Sequence, residues 1–108
     1  EGRRGEAIDS LISPGCILSG SRVKRSIVSS DTFIHSYAQV KDSVILPSVD
    51  IGRNCRIRRA IIDKSCIIPP DTVIGEDPEE DKKRFYVDEN GIVLVTPDML
   101  GQHLHTVR

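Results

Sequence analysis

Large aliphatic residues recur through the middle of this chain at spacings of six, six and five, and then the cycle starts again. Set Ser26 to Asp42, Ser43 to Arg59 and Ala60 to Glu76 one above another, and each row is 17 residues long. Val28, Ile45 and Ile62 fall in one column, Ile34, Ile51 and Ile68 in a second, and Val40, Ile57 and Ile74 in a third. Small residues form three further columns two places before the large ones: Thr32, Val49 and Cys66; Ala38, Cys55 and Thr72; Ser26, Ser43 and Ala60. Large at i, small at i+4 and large at i+6 is a period-two strand pattern, with both classes inward and i+1 and i+5 outward. A fixed period of this kind marks a solenoid, whose repeats bury their apolar faces only against one another. An earlier turn fits with one residue deleted near Gly20: its large residues are Ile12, Leu18 and Val23, its small ones Cys16 and Ser21. The pattern thus predicts an all-β parallel β-helix of about four coils over residues 10–75, roughly 15–20 Å tall at the usual strand spacing.

The flanks read differently. Residues 1–9 are charged, carry two glycines and are expected to be a linker entering the first coil. Residues 76–108 are expected to hold a cap, a hairpin and a tail, because a solenoid end exposes unpaired backbone and core. Asp77 suits an N-cap and Pro78 the first helical position, with acids filling the first turn and bases the last. That predicts a helix of about two turns, anchored by Phe85 and Tyr86. Asn90-Gly91 is a hairpin turn signal before a strand from Ile92 to Val95. Beyond Pro97 a short helix or a loose tail is expected.

Composition narrows the class. The 108 residues carry a net charge of −1, which argues against nucleic acid or an anionic membrane as partner. Two Tyr, two Phe and no Trp leave no evident stacking platform for bases or sugars. No apolar run approaches the roughly 20 residues of a membrane span. Cys16 and Cys66 share a column three coils apart, about 14 Å, which is too far for a disulfide, and Cys55 lies on another face. All three fall in inward slots and are expected to be buried, reduced thiols, which suits a cytoplasmic protein. The first residue is Glu1 rather than Met, so a fragment of a longer chain is expected.

Outward columns carry the candidate chemistry. Leu11, Ile27, Val44 and Ile61 form an apolar stripe, expected to be an interface or else to be covered by the strand Ile92 to Val95 folding back. Lys24, Lys41 and Arg58 form a basic column that needs acids or an anion beside it. Asp42 and Glu76 flank the same corner and could satisfy it. The functional alternative is a site for a phosphorylated effector or an acidic patch. His35 falls in an outward slot, as a solvated corner residue, and His103 with His105 is too weak a pair to imply zinc. No phosphate-binding glycine loop and no Ser/His/Asp set is present, so no catalytic or metal residue is assigned.

The six-residue pattern resembles the hexapeptide repeat of left-handed parallel β-helices. The segments SLISPGCILSGSRV, DSVILPSVDIGRNCRIRRAIIDKSCIIPPDTVIGEDPEEDKKRF and GIVLVTPDML resemble the C-terminal domain of bacterial glucose-1-phosphate adenylyltransferases. This resemblance implies a parent enzyme that makes ADP-glucose and pyrophosphate from ATP and glucose 1-phosphate for glycogen synthesis. Mg and ATP would be held by an N-terminal catalytic domain, with this domain serving homotetramer assembly and effector response and needing no cofactor of its own. It also implies an effector role for Lys64 in IIDKSC. The chain departs from the pattern at Pro97 and Gly101, where some relatives place arginines, which leaves the effector's identity open. Two alternatives remain: a hexapeptide acyltransferase with His35 as base and coenzyme A between subunits, or a scaffold without enzymatic function. Coils of 17 rather than 18 residues and a charged capping helix count against the acyltransferase.

Overall fold

The computed structural model describes residues 5–102. Three flat sheets enclose a filled interior, and each takes one strand from every coil. The first contains β1 (Glu6–Ile8), β4 (Arg22–Lys24), β7 (Gln39–Lys41), β10 (Arg56–Arg58) and β13 (Val73–Ile74), in that order. The second stacks β2 (Leu11–Ile12), β5 (Ile27–Val28), β8 (Val44–Ile45) and β11 (Ala60–Ile62), and continues into β15 (Val93–Val95) and β14 (Tyr86–Val87). The third has β3 (Ile17–Leu18), β6 (Phe33–Ile34), β9 (Asp50–Ile51) and β12 (Ile67–Ile68). Every pairing is parallel except the hairpin of β14 with β15. The fold is a left-handed parallel β-helix of about four turns with one helix.

The sequence columns are the structural registers: Val28 lies against Ile45, Ile34 against Ile51 and Val23 against Val40. These side chains, with Ile57, Ile62, Ile68 and Ile74, are removed from solvent. Burial of that kind stabilises by about 1.5–3 kcal/mol per large side chain. The polar column inside the prism is satisfied by its own repetition. Ser43 N donates to Ser26 Oγ at 3.0 Å, Ala60 N donates to Ser43 Oγ at 3.2 Å, and each hydroxyl donates two residues back, to Lys24 O and Lys41 O. A buried hydroxyl with both roles filled escapes the desolvation penalty of an unmade bond.

Corners are turned by residues in the left-handed region, such as Asp42, Ser48, Asn54, Arg59 and Ser65. Their N–H groups point along the prism axis and bond the coil before: Ser48 N to Ser30 O at 3.0 Å, Asn54 N to Ser36 O at 3.0 Å and Arg59 N to Lys41 O at 3.1 Å. Beyond the first coil, the costly conformation is therefore compensated by a backbone bond at each of these corners.

The helix α1 (Pro78–Arg84) closes the C-terminal end as its capping residues predict: Asp77 Oδ1 accepts from Glu79 N and Glu80 N. Four expectations need correction. Glu6–Ile8, read as linker, forms an exposed strand paired with β4, in which Ala7 stands opposite Val23. Cys16 is only half-buried, since the coil it belongs to has a single neighbour, although all three thiols are free. Phe85 is buried but Tyr86 is exposed, so one aromatic anchors the helix rather than two. The strand β15 does not fold over the apolar stripe but adds edge-on to β11 as a further rung.

Candidate assembly and effector surfaces

The apolar stripe lies along the outer face of the second sheet. Register places Leu11 beside Ile27, Ile27 beside Val44 and Val44 beside Ile61. The hairpin lengthens it, since Ile61 pairs with Leu94 and Leu94 with Tyr86. Leu11 is 70% exposed, Ile27 45% and Ile61 37%, and Val44 is half-buried. A hollow of about 300 Å³ opens beside it, lined by Asp42, Val44, Arg59, Ala60, Ile61 and Ile92. Contiguous apolar surface of this length gains free energy when a partner removes it from water.

The basic column stands on the first sheet, with Lys24 beside Lys41 and Lys41 beside Arg58. The acids expected to neutralise it are committed elsewhere. Asp42 takes the guanidinium of Arg25 at 2.6 Å, and Glu76 takes Arg56 in a two-pronged pair at 3.0 and 2.9 Å. The bond from Arg25 holds the Asp42 carboxyl below its ordinary range, and the bond from Arg56 does the same for Glu76; the charges of Lys41 and Arg58 add to both. The column thus shares its counter-charges with two arginines. The depression beside it, lined by Gln39, Lys41, Arg56, Arg58 and Glu76, holds about 50 Å³, room for a small anion or a single phosphoryl group. Gly75, next to Glu76 in sequence, is in the left-handed region, where an added Cβ would strike the Arg58 carbonyl.

Lys64 is not part of this column. It is exposed in the corner between β11 and β12, its N–H bonded to Asp63 Oδ1 at 2.8 Å, whereas Lys41 and Arg58 border the corner between the first and second sheets. His35 is more constrained than a solvated corner residue. Its ring stacks on Phe33 with centroids 3.9 Å apart, and Nε2 lies 3.0 Å from Asp50 Oδ1. His103 and His105 fall outside the described residues. Among the described residues no cluster of three or more His, Cys, Asp or Glu could hold a metal, and no helix is long and apolar enough to cross a membrane.

Three polar side chains that the sequence pattern does not single out bind the C-terminal end. Asp81, whose side chain is 3% exposed, accepts from Gly75 N at 3.0 Å and from Arg84 at 3.2 Å. Arg84 also donates to Val73 O at 2.7 Å. Gln102 clasps Ile67 with both ends of its amide, accepting from its N–H at 3.0 Å and donating to its carbonyl at 2.6 Å.

The stacked registers, the left-handed corners and the inward aliphatic columns define the class: a hexapeptide-repeat β-helix. Residues 1–95 match the family described as GlmU-like, C-terminal hexapeptide, and the chain belongs to that family. Its relatives are more particular. The chain is 67% identical, over its whole length, to the glucose-1-phosphate adenylyltransferase of Hydrogenovibrio crunogenus, covering 26% of that protein. Over 97% of its length it is 66% identical to the enzyme of that name from Thiobacillus denitrificans, covering 24%. Over 95% it is 62% identical to the one from Methylococcus capsulatus, again covering 24%. The match falls on the C-terminal part of these proteins, so the chain spans only a quarter of the relatives it matches.

Proposed function

We propose that this β-helix is the C-terminal assembly and regulatory domain of a cytoplasmic glucose-1-phosphate adenylyltransferase. The parent reaction joins glucose 1-phosphate to ATP: a phosphate oxygen of the sugar attacks the α-phosphorus, pyrophosphate leaves, and ADP-glucose is formed for glycogen synthesis. The observation that carries this reading is the 67% identity across the whole chain to a protein of that name. Mg and ATP belong, in this reading, to an N-terminal catalytic domain. The apolar stripe of Leu11, Ile27, Val44 and Ile61 supports a role in packing that domain or another subunit of a homotetramer. Lys64, or the column of Lys24, Lys41 and Arg58, supports binding of a small phosphorylated or otherwise anionic effector.

The test is pyrophosphate release from ATP and glucose 1-phosphate by the full-length protein, with and without a panel of phosphorylated sugars. No ADP-glucose would overturn the reading. In an activated enzyme, losing one charge-assisted bond of about 1.5–3 kcal/mol should weaken half-saturation by roughly ten- to hundredfold. Lys64→Ala is expected to show the larger shift and Lys41→Ala the smaller, with unactivated turnover retained. Unchanged half-saturation in both would remove the effector assignment while leaving the enzymatic one intact.

A further inference from the structure

Among the described residues ten that are not glycine adopt the left-handed conformation, and nine are Asp, Asn, Ser or Arg. The tenth is Tyr37, with φ 66°. At the same corner the other coils place Gly20, Asn54 and Asp71, types that enter this region at little cost. Tyr37 makes the usual corner bond, its N–H to Gly20 O at 3.0 Å, but a bulky aromatic costs more there than Gly, Asn or Asp, and burial does not offset the difference, because Tyr37 is 60% exposed. Strain without packing gain points to a use for the side chain.

The surroundings indicate the use. The Arg53 guanidinium sits over the Tyr37 ring, 4.9 Å from its centroid, and fixes the phenol. A hollow of about 300 Å³ adjoins it, lined by Gly20, Arg22, Tyr37, Ala38, Gln39 and Asn54. Arg22 is paired with Glu6 at 3.1 Å, and Asn54 donates to Asp71 at 2.8 Å, which leaves its amide oxygen as an acceptor. The Gln39 backbone N–H bonds Cys55 O at 2.8 Å, but its side-chain amide makes no hydrogen bond among the described residues and retains both roles. An exposed aromatic face beside planar amides, with the Arg53 guanidinium engaged by the ring itself and Arg22 paired with Glu6, matches a neutral polyhydroxyl ring better than an anion: apolar C–H groups lie on the free face of the phenol while hydroxyls meet Gln39, Asn54 and Arg22.

We propose that this hollow is a carbohydrate subsite for a neutral α-glucan chain, distinct from the basic column. The subsite rests on Tyr37 and its neighbours; only the choice of an α-glucan rests on the proposed function. The experiment titrates the full-length protein with maltotriose, followed by saturation-transfer NMR and calorimetry. Millimolar binding is expected, with saturation transfer to the ring protons of one or two glucosyl units. Tyr37→Asn is the informative variant, since Asn54 already occupies the equivalent corner. Its melting temperature should equal or exceed that of the parent, while maltotriose affinity falls about tenfold or more. No binding by the parent at millimolar maltotriose, equal binding by Tyr37→Asn, or displacement of maltotriose by inorganic phosphate would each overturn the subsite. ADP-glucose formation by the unaltered protein reports the proposed function separately.

Discussion

The two ends of the prism meet the same physical problem with different means. At the C-terminal end each sheet's last strand is sealed by its own device: Asp81 and Arg84 bond Gly75 and Val73 above the first sheet, the hairpin extends the second, and Gln102 clasps Ile67 on the third. At the N-terminal end only the first sheet is extended, by β1, and among the described residues no strand lies beyond β2 or β3. The core reflects this. Ile12, Cys16 and Leu18 remain partly exposed, whereas Ile62, Cys66 and Ile68 at the other end are sealed. Burial pushes the Cys66 thiol up to about 11, and Asp63 adds to the shift. The lesson is that a solenoid's repeats fix its interior, but non-repeating side chains decide which end is finished and which is left to pack on something else.

That contrast can be broken from the middle outwards. Ile51 is fully buried, and Ile51→Asp places an unpaired charge between both ends, so a loss of several kcal/mol and unfolding of the whole chain is expected by circular dichroism. Melting like the parent would show Ile51 to face outward. Asp81→Ala should cost about 1–3 kcal/mol by stranding the Gly75 N–H and freeing Arg84. Amide exchange should then quicken at Gly75 and along α1 while β5 and β6 stay protected; uniform quickening would mean that the cap and coils melt as one unit.

Gln102→Ala should cost about 0.5–1.5 kcal/mol, read as faster exchange at the Ile67 amide alone. An unchanged Ile67 rate would leave the third sheet sealed by something else. The acid-dependent effect is smallest, because both carboxylates are exposed. Asp42 and Glu76 have native carboxyls held below their ordinary range by Arg25 and Arg56. Their stabilisation is therefore present at neutral pH and is lost as pH falls through the carboxylate range. The double change of Asp42→Asn and Glu76→Gln should flatten the acid side of the melting-temperature profile slightly; an identical profile would show the two pairs to contribute nothing.

Much of this was legible in the residues, because a repeat displays its registers as columns and a helix cap is local chemistry. The inward set, the four coils, the N-cap at Asp77 and the turn at Asn90-Gly91 follow from spacing and residue type alone. What was not legible depends on where non-repeating segments come to rest. The strand β15 is expected from its sequence either to cover the apolar stripe or to leave it as an interface, and its edge-on register with β11 depends on pairing that its own residues do not display. Asp81 reads as an ordinary first-turn acid; its burial follows from the Gly75 N–H above β13, a contact six residues back across a bend. Asp42 and Glu76 were placed at the right corner, where the charges of Lys41 and Arg58 act on them, but their hydrogen bonds go to Arg25 and Arg56, which the column does not include. Tyr37 carries no signal in the repeat pattern, and its left-handed backbone is visible only in the dihedral angle.

Coil length has a consequence for how such a chain can change. Each corner N–H bonds a coil neighbour, and Asn54 and Asp71, 17 positions apart, occupy the same corner. Inserting one further 17-residue row between Arg59 and Ala60 would raise the cap and hairpin by one rung of about 4.8 Å with every column intact. An insertion of a single residue within a strand would instead turn inward positions outward in that strand. The domain is in this sense a ruler with fixed graduations: the distance between what is joined to its first coil and what is joined to its last grows only by whole rungs.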